Sequence, residues 1–154
     1  MSEPVAINPH IVEALYCEAL VLSDEVRGAF ALSGRLETAG MQEDLARIAL
    51  SCEALRTTTR MMHALAWLLN HRAYFKGEIS DFQLRRNGRL TVDAPDSDPG
   101  RLALLEPAIR DLIKETERFY ARLVRLDQSL RESEPIVPNA VARLRERLGG
   151  SLSL

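Results

Sequence analysis

Two cysteines, eight glycines and one tryptophan in 154 residues exclude several architectures at once. Two cysteines cannot frame a disulfide-stapled scaffold. Cys17 and Cys52 fall inside helical patterns, where they read as reduced core residues of a cytoplasmic protein. Few glycines and few β-branched runs argue against a β architecture. Charge of one sign is also lacking: 20 basic and 22 acidic residues leave a net −2, so neither nucleic acid nor an anionic membrane is expected as a partner. No apolar run approaches the roughly 20 residues a membrane span needs. The opening MSEPVAINPH has neither a basic region nor an apolar core and is not expected to act as a secretory signal. The length suits one domain able to bury a core without metal or disulfides.

Catalytic patterns are missing as well. His63 and His71 lie about two helical turns apart, roughly 12 Å, too far to share a metal from one straight helix. No Glu-x-x-His pair points to a di-iron bundle core. No serine sits in a nucleophile-elbow or glycine-rich phosphate context. The sequence therefore predicts no catalytic, cofactor-binding or metal-ligating residue, and no enzyme.

Helical periodicity is abundant. Asn8-Pro9 starts a first helix that carries Val12, Leu15, Ala19, Leu22, Val26 and Ala29 at three-four spacing, with Gly34 as its stop. The longest helix runs from Gln42 to Gly77. Its leading apolar seam is Leu45, Ile48, Cys52, Leu55, Thr59, Met62, Ala66, Leu69 and Ala73, expected to face one partner helix along its length. A second seam comprises Thr58, Met61, Leu65, Leu68 and Phe75. A mixed stripe follows Arg56, Arg60, His63, Trp67, Asn70 and Tyr74. Two readings of that stripe stand open. Either it is a bundle edge with arginines paired to the acidic first helix, or it is a partner surface rich in hot-spot residue types.

Ser80-Asp81 caps a short helix, Phe82 to Asn87, and RLTVDAPDSDPG reads as loop. The whole connection from Glu78 to Glu106 far exceeds the usual link of about 2–8 residues between helices. Within it, Arg85-Arg86-Asn87-Gly88-Arg89 forms a basic cluster, offset by five acids between Glu78 and Asp98. From Pro107 onward Ile109, Leu112, Thr116, Phe119, Leu123, Leu126 and Leu130 form a third long seam. SEPIVP then breaks the chain before a short amphipathic segment with Val141, Leu144 and Leu148. The expected fold is all-α: a three-helix up-down-up bundle over residues 1–132, with a long central helix and a long loop carrying a short helix. A flexible or loosely docked tail with a short helix occupies residues 133–154. The second seam exceeds what three helices cover, so Met61, Leu65 and Leu68 are expected at a homodimer contact.

CEALRTTTRMMHALAWLLNHRAYFKGEIS, from Cys52 to Ser80, resembles the signature of the alphaproteobacterial RcdA family, the regulators of CtrA degradation. The likeness rests on Arg56, Thr58, Thr59, Arg60, Met61 and Met62, then Trp67-Leu68-Leu69, Arg72-Ala73 and Gly77-Glu78-Ile79. FYARLVRLD, from Phe119 to Asp127, resembles the end of the family's last long helix. The resemblance implies a helical homodimer that serves the ClpXP protease as a non-enzymatic adaptor. It would bring cell-cycle regulators to the unfoldase, with a response-regulator partner priming the assembly. The expected partner-binding residues are Arg56, Arg60, Trp67 and Tyr74. The alternative is a small helical binder of a metabolite or nucleotide through the 78–106 loop and its arginines.

Overall fold

Asn8 opens the first helix by accepting a 2.9 Å hydrogen bond from the Ile11 N–H, and Pro9 follows where no donor is needed. A computed structural model describes residues 7–35, 41–90, 97–133, 144 and 147–149. Among them are the helices α1 (Pro9–Arg35), α2 (Met41–Phe75), α3 (Asp81–Asn87), α4 (Pro99–Leu102) and α5 (Pro107–Ser133), further helical residues at 144 and 147–149, and no strand. Gly77, at φ 76°, ends α2. Its N–H reaches the Tyr74 carbonyl at 3.0 Å, and the Glu78 N–H reaches Ala73 at 2.9 Å. This is a Schellman motif, and a side chain at Gly77 would strain it. Ser80 and Gln83 then close a reciprocal capping box on α3. The predicted break and short amphipathic segment beyond residue 133 fall mainly outside the described residues; Leu144 and Leu148 are helical and exposed.

Side-chain pairs fix the helix directions. Arg72 near the end of α2 meets Glu13 near the start of α1 at 2.6 Å, so these helices are antiparallel. Along α2 and α5 the order is shared: Ala49 clusters with Ile109 and Ile113, Arg60 bonds to Thr116, and Trp67 bonds to Asp127. α2 and α5 therefore run in the same direction. The expected up-down-up order is corrected to one helix up and two down. The cause is the long connection, which does more than link neighbouring ends. α3 and α4 both pack on α2, Leu90 is buried in the main core, and Leu102 and Leu105 lie beside Ala49 near the start of α2. The chain thus travels back along α2 before α5 begins, as a parallel pair of helices requires.

The core has two parts. The larger joins Val12, Leu15, Ala19 and Leu22 of α1 to Met61, Leu68, Phe119 and Leu123; the smaller joins Ala49, Leu105, Ile109 and Ile113. The predicted seams of α1 and α5 thus face inward. On α2 the choice is different. Ala49, Glu53, Thr57, Arg60, Ala64, Trp67, Leu68 and His71 are buried, whereas Leu45, Ile48, Leu55, Met62 and Leu69 of the leading seam are exposed. The expectation that this seam faces a helix of the same chain is overturned: α5 supplies acceptors for Arg60 and Trp67, and burying these two side chains as pairs turns this face of α2 inward.

Glu53 is fully buried, and neither carboxylate oxygen has a hydrogen-bond partner among the described residues. A buried acceptor left unpaired carries its full desolvation cost. Glu53→Leu, similar in volume, is expected to raise stability by about 1–3 kcal/mol. The urea midpoint reports it, with an unchanged m-value. A fall in midpoint would mean that the carboxylate is paired.

Candidate interaction site

The mixed stripe of α2 divides into an internal part and a marginal part. Arg60 is buried, its Nη1 donating to Thr116 Oγ1 at 3.0 Å and its Nη2 lying 3.5 Å from Glu117 Oε1. Thr116 passes the bond on to the Ile113 carbonyl at 2.6 Å. Trp67, 2% exposed, donates from Nε1 to Asp127 Oδ1 at 3.1 Å. The other Asp127 oxygen pairs with Arg131, and the His71 ring lies 4.1 Å from that of Trp67. Arg60 and Trp67 therefore have their partners on α5, which corrects their expected place on a partner surface. It also corrects the bland reading in part, because Arg60 pairs with α5 rather than with acidic α1. The arginine that does meet α1 is Arg72, bound to Glu13 and stacked 4.1 Å over the Tyr16 ring. Arg56 and Tyr74 remain half-buried at the margin.

The predicted dimer residues are corrected likewise. Met61 and Leu68 are buried in the chain's own core, and Leu65 is partly buried against it. Met61 and Leu68 are not left for a second subunit, because the chain's own core covers them, whereas Leu65 keeps part of its surface. The leading seam is the open one. Leu55 is 71% exposed, Met62 63%, Leu45 60% and Ile48 58%. Thr59 and Ala66 are exposed between them, and Cys52 is half-buried. From Leu45 to Leu69 this apolar stripe runs about 36 Å along one face of one helix. Cys17 is exposed rather than in the core, and both cysteines are free thiols.

A cleft of about 360 Å³ opens where the end of α2 meets α3 and the end of α5, with Ile7, Phe75, Leu84 and Leu130 among its walls. Arg85 pairs with Asp81 there at 2.8 Å. His71 sits at the back of the cleft, and burial lowers its pKa from the ordinary 6.5 to about 4, against the weaker opposing pull of Asp127. Between those two values the unfolded chain holds a proton that the folded chain does not. Stability is therefore full above 6.5 and falls as the pH drops toward 4. The loss should be on the order of 3 kcal/mol. His71→Gln is expected to flatten this acid dependence, read from urea midpoints at neutral and mildly acidic pH. An unchanged slope would place the sensitivity elsewhere. Among the described residues no group of three or more His, Cys, Asp or Glu side chains is placed to hold a metal ion, and no helix is long and apolar enough to cross a membrane.

A family model, described as a protein of unknown function (DUF1465), matches residues 4–152. The chain belongs to the DUF1465 family. No curated protein and no solved structure matches it. In this DUF1465 chain the two segments quoted above, Cys52–Ser80 and Phe119–Asp127, face each other across the α2–α5 contact. Trp67 and Asp127 are the point where they bond. Asp127, Thr116 and Glu117 were not recognised as partners of the stripe from the sequence. One signal was available, since a tryptophan N–H in an apolar helix needs an acceptor when buried.

Proposed function

We propose that this DUF1465 protein is a non-enzymatic, homodimeric interaction adaptor of the RcdA type. In this reading it is a cytoplasmic alphaproteobacterial protein that helps deliver regulatory proteins to the ClpXP protease during cell-cycle control, with a response-regulator partner priming the assembly. The observation that carries the reading is the exposed apolar stripe from Leu45 to Leu69. Monomers seldom leave so long an apolar face in water without an occupant. We assign that face to a second copy of the chain. Its three-four repeat is self-complementary, no charged side chain interrupts the seam positions, and a two-fold contact uses one patch twice. Partner binding is assigned to the surfaces that a dimer through this stripe leaves open, with Arg56 and Tyr74 as the two expected partner-binding residues that are not buried.

Affinity capture with the full chain, read by mass spectrometry, tests the adaptor role. Recovery of the protease, its unfoldase or a response regulator is the expected result. Recovery of none of them by a correctly folded bait contradicts it.

A further inference from the structure

The cleft between the ends of α2, α3 and α5 is, we infer, a binding site for an apolar carboxylate. The carboxylate would rest on Arg89, with an aliphatic or aromatic body among Ile7, Phe75, Leu84 and Leu130. The assignment does not depend on the adaptor reading. Three guanidinium groups and two carboxylates line the cleft. Asp81 is taken by Arg85 and Asp127 by Arg131. Among the described residues Arg89 has no ion-pair partner, and it shares the cleft with the apolar side chains of Ile7, Phe75, Leu84 and Leu130. The volume of about 360 Å³ falls within the range of small-ligand sites, roughly 300–1,000 Å³. A neutral ligand would leave Arg89 without a counter-charge among the described residues. A polyanion such as a nucleotide would set its excess charge against Asp81 and Asp127. A single carboxylate on an apolar body satisfies both requirements, and guanidinium binds that group with two parallel hydrogen bonds.

Two sources supply such a group: a free small acid, or the carboxyl terminus of a peptide. Titration of the nitrogen-15-labelled full chain with octanoate, followed by amide chemical shifts, is the direct test. N-acetyl-leucyl-leucine serves as the peptide probe. Saturable shifts at Gly88, Arg89 and Leu130 are expected with at least one of these acids. Octanol and the dipeptide amide are expected to produce none. Arg89→Gln, at an exposed position, should keep the remaining spectrum and weaken the acid by about tenfold or more. Tighter binding of the dipeptide acid identifies a peptide terminus as the source, and tighter binding of octanoate a free acid. The inference is overturned if neither acid binds, if the uncharged analogues bind equally, or if Arg89→Gln leaves the affinity unchanged.

Discussion

Replacing Trp67 with alanine is expected to cost about 3–5 kcal/mol of folding stability, the range for a large aromatic removed from a packed core. Three contributions are lost together. The indole body fills the core between α2 and α5, its N–H satisfies Asp127, and its ring supports His71. Trp67→Phe restores most of the body but not the donor. It should cost about 1–2 kcal/mol, since Asp127 keeps Arg131 as a partner. Chemical denaturation distinguishes the two variants. A cost under about 1 kcal/mol for Trp67→Ala would put the side chain at the surface, where ordinary substitutions fall.

Arg60→Ala is the second large effect, about 3 kcal/mol, the low end for breaking a buried pair because Glu117 retains some water. The loss leaves Thr116 without its donor and Glu117 with only the 3.4 Å bond from the Ser97 N–H among the described residues. Arg60→Met, which keeps the apolar stem, should be milder. Both variants should bind protein partners in proportion to their folded fraction. An Arg60→Ala protein of normal stability but weakened partner capture would return this residue to the surface.

These two side chains also show where the sequence was legible and where it was not. The buried seams of α1 and α5 follow directly from their spacing, as do Asn8, Gly77 and Ser80 at the helix ends. Those features depend on local chemistry alone. α2 carries three faces of similar periodicity, and periodicity identifies faces without saying which points inward. Met62 and Leu55 look more core-like than Arg60 and Glu53, yet the order is reversed. The deciding partners, Thr116, Glu117 and Asp127, lie more than 50 residues away in sequence on a helix whose direction depends on the return path of the 78–106 connection. That path also explains the helix order. A long connection was visible, but its length alone fits either a loop that bulges outward or one that runs back along α2. The cleft was half legible: the sequence supplied Arg85 and Arg89, whereas Ile7 and Leu130 arrive only through the fold.

With α2 turned this way, the exposed stripe needs an occupant, and sedimentation equilibrium measures it most directly. At tens of micromolar, where dimers of roughly micromolar affinity persist, the unmodified chain should show twice its 17.3 kDa mass. Leu55→Asp with Met62→Asp should reduce it to a folded monomer with an unchanged helical spectrum, because both side chains already face water within one chain. An unmodified chain that sediments as a monomer, or a double variant that stays dimeric, would contradict the assignment of this face to a second copy.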